Sequence, residues 1–413
     1  MQMNKINYYL VFISLFIVLF IDGLGTSIVL PLFSDLFLHS ETSILDKNVS
    51  LAVRHYMYGI SLVSFSLGMF FSSPILGQLS DKFGRKKIII LSLIGTAIGY
   101  LICGYAIVLR SPIWFIIGRI IDGLTAGNIP IAQAAINDIT PEKKRTGNMG
   151  LVLFAVTSGY FFGPLLSDFF SHHINGINLS LPFYATAGLS LLSIFMLMFL
   201  KEKSILNKSK INWMKCLSFI SVLKDLKSLN KLLFIFITFQ LGWSMYFQYL
   251  PLFMEAKHLE HEIVRLLTFI GFGMCFSFSI LTRIFQSVSN TKKAALFTIA
   301  IILFTTCAQL YGYESTHIMW VASILGATGY GLAYSYLMTI LSQEADINRQ
   351  GQVMGIAASM SALSAVITAL IGAYISNISA DSVYIFANIC FFASAIGLIK
   401  LLCKPKMVVF DGQ

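Results

Sequence analysis

Long apolar stretches recur along nearly the whole chain, and each is about as long as a helix that crosses a lipid bilayer. The first runs from Tyr8 to Phe20 without a charged residue. A bilayer-spanning helix needs about 20 predominantly apolar residues. Of the 413 residues, 56% are hydrophobic and only 12% are charged, against roughly 25% charged in soluble domains. We therefore expect an all-α integral membrane protein. A transmembrane barrel is excluded because its strands alternate apolar and polar residues.

Hydropathy divides the chain into twelve predicted spans, at 8–33, 56–78, 88–109, 112–136, 149–170, 181–200, 232–253, 264–285, 294–312, 317–341, 351–375 and 383–402. If the N-terminus is cytoplasmic, 23 of the 29 Lys and Arg lie on the cytoplasmic side and 5 on the other. Cytoplasmic loops retain positive charge. We therefore expect both termini in the cytoplasm and the protein in the cell inner membrane. Because the net charge of +10 follows this pattern, it does not predict a nucleic-acid partner.

The longest connection, 201–231, carries eight lysines and lies near the middle of the chain. It predicts a basic cytoplasmic linker between six-helix bundles at 1–200 and 232–413. The linker is either a short helix lying on the anionic lipid surface or a solvated segment. A faint repeat supports the division, because the Lys pair that ends at Lys87 recurs 206 positions later and ends at Lys293. Duplicated halves are typical of transporters with a central site.

A charged turn bracketed by two glycines follows span 2, and its sequence from Gly77 onward is GQLSDKFGRKK. Gly77 permits close helix approach, Asp81 can pair with Arg85, and Gly84 can take a positive φ. These four residues predict a conformational gate. The string resembles the signature G-x-L-a-D-r-x-G-r-k of the major facilitator superfamily.

Span 5 carries the spacing G-x(8)-G-x(3)-G-P, with Gly150, Gly159, Gly163 and Pro164. Together with the D-x-x-G-x(5)-P pattern that begins at Asp22 in span 1, it resembles the proton-coupled drug antiporters of that superfamily, including tetracycline-type efflux proteins. The resemblance implies two six-helix halves that rock about a central cavity and exchange small molecules for protons. It implies neither an enzyme nor a cofactor, and one chain suffices for the mechanism.

The family's closing glycine pair in span 5 is replaced by Ser167 and Asp168. This departure leaves the direction of transport open. The second reading is a proton-coupled uptake carrier for a nutrient or siderophore, and the third is a membrane sensor or scaffold that does not transport. No P-loop sequence G-x-x-x-x-G-K-[ST] occurs, so we expect an ion gradient rather than ATP to supply the energy.

Only three charged residues lie deep within the predicted spans: Asp22, Arg119 and Asp122. Each Asp is 14 residues from the cytoplasmic end of its span, which places both about 21 Å along the helix. Arg119 is one helical turn from Asp122. We expect Arg119 to neutralise one carboxylate and the other to take up and release a proton. The alternative is that Arg119 and Asp122 only satisfy each other while Asp22 bonds to nearby backbone.

The second half carries no deep charge but has aromatic and amide side chains in spans 7 and 10. We predict that Gln240, Trp243, Tyr246, Gln248 and Tyr334 contact an amphipathic small-molecule substrate. The alternative is that they pack the core or line the membrane interface.

Histidines and glutamates follow span 7 in an outer loop: His258, His261, Glu255, Glu260 and Glu262. Their spacing has no fixed geometry, so we expect a solvated loop and no metal site.

Overall fold

The computed structural model describes residues 5–39, 41–139, 145–172, 178–198, 229–285, 290–344 and 350–402, and nearly all of them are helical. Within these ranges there is no β-strand. The predicted all-α fold class is confirmed. Most of the predicted linker 201–231 lies outside the described residues.

The first half contains seven α-helices: α1 Lys5–Ile28, α2 Leu51–Phe83, α3 Arg85–Val108, α4 Pro112–Thr125, α5 Asn128–Ile139, α6 Arg145–His172 and α7 Leu181–Met198. The second half contains α8 Asn230–Ala256, α9 Ile263–Phe276, α10 Thr291–Tyr311, α11 Thr316–Gln343, α12 Gln350–Ile375 and α13 Ala380–Leu402. Short π and 3₁₀ turns follow α1, α8 and α9. In span 1 the helix ends at Ile28, before the predicted boundary, because Pro31 disfavours helical geometry in the residue before it.

Eleven spans in the described part of the chain are long and apolar enough to cross a membrane. The twelfth predicted span corresponds to α8, which has 27 residues and is therefore about 40 Å long. It does not reach the same apolarity because Gln240, Trp243 and Gln248 interrupt its middle. Polar residues within a membrane helix usually face the bundle interior or a cavity rather than lipid.

The two halves repeat the same helix pairings, as the predicted major facilitator architecture requires. In the first half α1 packs on α6 and α7, and α3 packs on α4 and α7. The second half repeats these pairings, since α8 packs on α12 and α13 while α10 packs on α11 and α13. The largest contacts between the halves are those of α2 with α12 and of α6 with α9.

Span 4 is broken at residues 126–127, although the sequence predicts one helix over 112–136. The cause is Pro130, which has no N–H for the carbonyl of Ala126 four residues earlier and whose ring clashes with it. The freed Ala126 carbonyl accepts a hydrogen bond of 3.1 Å from the Ser73 hydroxyl, and Ser72 donates to the Gly123 carbonyl at 3.0 Å. Serine hydroxyls of α2 thus donate hydrogen bonds to the backbone carbonyls that the helix break leaves free. Such groups need a partner inside a membrane because no bulk water is present there.

The halves meet at the ends that the charge distribution predicts to be outside the cell, which we call the outer side. The Tyr58 hydroxyl of α2 donates to the Gln248 carbonyl of α8 at 2.7 Å, and the Tyr58 and Tyr249 rings lie 5.5 Å apart. A side chain at Gly59 would collide with Ala373 of α12. These contacts hold the outer ends of α2, α8 and α12 together.

Candidate functional site

A partly open cavity of about 90 Å³ lies within the first half, large enough for several water molecules. Its walls come from α1 to α7, and they carry Asp22, Thr96, Tyr100, Asp122, Asn128 and Tyr160. The structure thus brings two of the three predicted charged residues to one chamber. Asp22 faces this cavity rather than lipid.

The Asp22 carboxylate is held by the break in span 4. Asn128 is the first residue of α5, and its Nδ2 donates to Asp22 Oδ1 at 2.9 Å. The other amide atom, Asn128 Oδ1, is buried without a hydrogen-bond partner in the described part of the chain. The N-terminus of a helix carries partial positive charge. Asp22 therefore has a neutral donor and a helix end beside it, but no ion pair among the described residues.

Arg119 and Asp122 lie one turn apart on α4 and contact each other directly. Arg119 Nη1 lies 3.1 Å from Asp122 Oδ2, and each side chain is only 6% exposed. The guanidinium also lies over the Phe65 ring of α2, 4.4 Å from its centroid. The ion pair and the cation–π contact both lower the free-energy cost of burying the Arg119 charge in an apolar bundle. Arg119 therefore neutralises Asp122, its neighbour on the same helix.

The glycines of span 5 let α6 pack backbone to backbone on α1. A Cβ atom at Gly159 would overlap the Phe20 carbonyl and the Leu24 amide nitrogen, and one at Gly163 would overlap the Ser27 side chain. The Ser27 hydroxyl donates to the Gly159 carbonyl at 3.0 Å. These contacts fix the helix that carries Asp22. Gly150 lies in the same helix, in a part whose side chains the structure does not describe, and Pro164 follows Gly163.

We expect Gly159→Ala to destabilise the protein by about 1–3 kcal/mol, because the added methyl group has no space between α1 and α6. The control is Gly188→Ala on α7, where no described atom lies within 4 Å of an added Cβ. Alanine in a helix interior is otherwise the better residue by roughly 0.5–1 kcal/mol. Thermal unfolding in detergent should therefore show a lower melting temperature for the first variant only. Equal melting temperatures for both variants would contradict the close packing of α1 on α6.

Tyr160 connects the cavity to the aromatic residues of the second half. It lines the cavity, and its ring lies 6.1 Å from that of Phe247 on α8. Phe247 stacks on Trp243 at 6.2 Å, and Trp243 stacks on Tyr330 of α11 at 3.9 Å. A continuous row of rings therefore runs from the carboxylates into the second half.

The predicted substrate residues fall into two groups. Gln240, Trp243 and Tyr334 belong to the aromatic cluster around Tyr330, whose hydroxyl lies 3.4 Å from Gln240 Oε1 and whose ring is 6.0 Å from that of Tyr334. Gln240 Nε2 also donates to the Ser361 hydroxyl of α12 at 2.7 Å. We call Gln240, Trp243, Tyr330 and Tyr334 the aromatic cluster.

Tyr246 and Gln248 lie beside the cluster. Tyr246 is 2% exposed and packs edge-on against Tyr384 at 5.5 Å, within the core of the second half. The Gln248 side chain lies against α12, with Nε2 3.5 Å from the Ala365 carbonyl.

The charged turn after span 2 is a single residue between two helices. Gly84 separates α2 from α3 and has φ 102°, which confirms the predicted positive φ. Asp81 Oδ1 and Arg85 Nη1 lie 2.6 Å apart, so the predicted pair is present. The close helix approach predicted at Gly77 is wrong for this conformation, because no described atom lies within 4 Å of a Cβ placed there.

Sequence comparison agrees with this architecture. A family model described as Major Facilitator Superfamily matches residues 15–369. The chain belongs to this superfamily. Like other members, it is a membrane transporter, and this superfamily is not a family of enzymes.

Two bacterial relatives and one solved structure of the superfamily are similar to the chain. The class D tetracycline resistance protein of Salmonella ordonez is 26% identical over 404 residues, which cover 95% of this chain and 97% of that protein. The class H protein of Pasteurella multocida is 31% identical over 192 residues, 46% of this chain and 44% of that protein. The crystal structure of the human organic anion transporter has a TM-score of 0.73 at 18% identity and covers 96% of this chain and 100% of that one.

Asn128 and Tyr160 are candidate site residues that the sequence reading missed. A signal existed for each. Pro130 lies two residues after Asn128 and marks a helix break, and Tyr160 lies between Gly159 and Gly163 of the span 5 pattern.

Proposed function

We propose that this superfamily member is a proton-coupled exporter, which exchanges small amphipathic molecules, including drugs, for protons by alternating access. The proposal rests on one observation: the two carboxylates that line the cavity have partners of different charge. Asp122 has a guanidinium at 3.1 Å, whereas the side-chain partner of the Asp22 carboxylate among the described residues is the neutral Asn128 amide at 2.9 Å.

In the proposed mechanism Asp22 is the proton carrier. Charges inside a membrane bundle are costly unless they are paired or hydrated. A proton on Asp22 removes a charge that no cation balances, while Asp122 keeps its own partner. Asn128 can form a hydrogen bond with Asp22 in both protonation states. Its amide NH₂ donates to the ionised carboxylate, and its Oδ1 can accept from the protonated carboxyl group. Exchange of this proton is the event that coupling requires.

Tyr160 supports a physical link between proton and substrate. Its ring touches both the Asp22 cavity and the Phe247 ring that leads to Trp243. In the proposed cycle, a ligand that enters between the halves and stacks on the aromatic cluster displaces or tilts Tyr160. This movement changes the hydration of Asp22 and with it the cost of its charge.

The proposed orientation has both termini in the cytoplasm, so the closed side of the protein faces outward and the other side receives cytoplasmic ligand. Tetracycline is the first ligand to test because the two bacterial relatives are named for resistance to it. Tyrosine and tryptophan rings with a few amides suit such partly aromatic molecules.

Uptake driven by the same proton gradient is the second candidate, and Ser167 with Asp168 is the observation that favours it. The family's exporters close the span 5 pattern with a glycine pair, which this chain lacks. The proton site would serve either direction.

Proteoliposomes with an imposed pH gradient and a trapped pH dye distinguish these functions. For export, flux of tetracycline or ethidium should run opposite to the proton flux. Flux of both in the same direction would establish uptake instead. Ligand binding without any gradient-driven flux would refute both and favour a sensor.

We expect Trp243→Ala to raise the KM for transported ligand about tenfold, which corresponds to the upper range of one aromatic stacking contact. Trp243→Phe should retain part of the affinity because a ring remains. Tyr311→Ala is the matched control, since the Tyr311 side chain is 82% exposed at the end of α10. Initial rates in proteoliposomes measure all three. An unchanged KM for Trp243→Ala would show that the aromatic cluster does not hold the ligand.

A further inference from the structure

Three potential metal ligands from separate parts of the sequence converge on the outer side. His39 follows the π-helical turn Ser34–Leu38 after α1, Glu255 lies at the end of α8, and Glu260 begins the 3₁₀ turn after it. One ligand atom of each lies within 4.8 Å of the other two. The sequence reading considered only residues of the outer loop itself and therefore left His39 out of this group.

Both ring nitrogens of His39 are already oriented. Nδ1 contacts Asp35 Oδ1 at 2.7 Å, and Nε2 points at Glu255 Oε1 at 2.6 Å. A carboxylate on the far nitrogen is the usual support of a metal-binding histidine, because it fixes the ring and strengthens it as a ligand. The Nε2 atom of His39 thus faces the two glutamates, while the contact between Nδ1 and Asp35 fixes the orientation of the ring.

The two glutamates retain capacity to bind a cation. Glu255 Oε2 is buried and has no hydrogen-bond partner among the described residues. Glu260 has no ion pair within the same part of the chain. The nearby Lys257 forms an ion pair with Asp381, in which Lys257 Nζ and Asp381 Oδ1 are 2.8 Å apart. The cluster therefore combines one imidazole with three carboxylates, and no lysine or arginine of the described ranges forms an ion pair with them.

We propose that His39, Glu255 and Glu260 bind a divalent transition-metal ion, with Asp35 as the positioning residue behind His39. A mixed set of one imidazole nitrogen and carboxylate oxygens suits Zn²⁺ better than Mg²⁺ or Ca²⁺, which prefer oxygen ligands alone. Water completes the coordination, because each ligand side chain is partly exposed.

The cluster needs only small side-chain movements to take the ion. Ligand bonds of about 2.0 Å at tetrahedral angles separate ligand atoms by about 3.3 Å, so Glu255 Oε1 must withdraw slightly from His39 Nε2. The ion also takes the place of the contact between His39 Nε2 and Glu255 Oε1, which are 2.6 Å apart, and a histidine must be neutral at the nitrogen that binds a metal.

The site joins the two halves, because His39 belongs to the first and both glutamates to the second. An ion bound there adds a coordinate link at the outer ends that Tyr58 and Gln248 already hold together. External Zn²⁺ should therefore stabilise the outward-closed state and slow any cycle that must open it.

Zinc binding to the full chain in detergent tests this site without any transport measurement. We expect saturable binding of one Zn²⁺ per chain by equilibrium dialysis, and a rise in melting temperature that MgCl₂ does not reproduce. Glu260→Gln should weaken binding at least about tenfold, and His39→Gln and Asp35→Asn should weaken it about 10–100-fold. Glu260→Gln is the cleanest variant because no described ion pair is lost with it.

His261→Gln is the matched control, a 67% exposed histidine of the same outer loop that lies outside the cluster. It should bind Zn²⁺ like the wild type. The proposal is overturned if no saturable binding occurs, if either Glu260→Gln or His39→Gln binds like the wild type, or if His261→Gln loses binding to the same extent. Because binding is measured alone, these outcomes are independent of whether the protein exports protons or drugs.

Discussion

Asp22→Asn should abolish gradient-driven transport and leave the protein folded. Asparagine has nearly the size of aspartate, and its Oδ1 can still accept the 2.9 Å hydrogen bond from Asn128. It cannot bind or release a proton near neutral pH. We therefore expect ligand flux driven by a pH gradient in proteoliposomes to fall to the level of empty vesicles, while ligand binding and melting temperature stay close to those of the wild type.

Glu41→Gln is the control for this variant. Glu41 lies in the loop between α1 and α2, its side chain is 82% exposed, and its Oε1 lies 3.2 Å from Lys47 Nζ. Surface ion pairs of this kind contribute little, so neutralising it should leave transport unchanged. Gradient-driven transport by Asp22→Asn at the rate of Glu41→Gln would show that the proton carrier lies elsewhere.

Arg119→Ala should cost about 3–5 kcal/mol of stability and eliminate transport, because it leaves the Asp122 carboxylate buried without a cation. Arg119 Nη1 and Asp122 Oδ2 are 3.1 Å apart with 6% of each side chain exposed, so the loss of the guanidinium removes the ionic partner of a carboxylate that has little contact with bulk solvent. The variant also loses the contact with the Phe65 ring. Unfolding in detergent should show a large fall in melting temperature.

The double variant Arg119→Leu/Asp122→Leu separates loss of the pair from loss of either partner. Replacing both members of a buried pair by apolar residues is often neutral or stabilising. The double variant should therefore recover most of the melting temperature lost in Arg119→Ala and remain inactive. A wild-type melting temperature for Arg119→Ala would mean that the two groups do not depend on each other.

The fold and the paired charges could be predicted because each rests on local sequence. The number of membrane-spanning helices follows from the length of the apolar stretches. Arg119 and Asp122 are three residues apart, a spacing that puts them on one face of any helix. Three charges in so many apolar residues are conspicuous without a structure.

Residues that act through tertiary contacts escaped prediction. Asn128 is uncharged, and its importance depends on a helix break that Pro130 imposes four residues beyond Ala126. Tyr160 matters because α6 faces α8, a contact between the halves that no local pattern encodes. His39 and Glu255 are likewise distant in sequence. The contact between the two halves on the outer side places His39 Nε2 2.6 Å from Glu255 Oε1.

The most direct test counts the protons that the purified protein releases when ligand binds. It measures whether ligand binding removes the proton from Asp22. Ethidium is a suitable ligand because its positive charge does not depend on pH near neutrality. In weakly buffered detergent solution with a pH indicator, wild-type protein should release protons on ethidium binding, whereas Asp22→Asn should bind ethidium and release none. Equal release by both proteins, or binding to the wild type without release, would contradict proton exchange at Asp22.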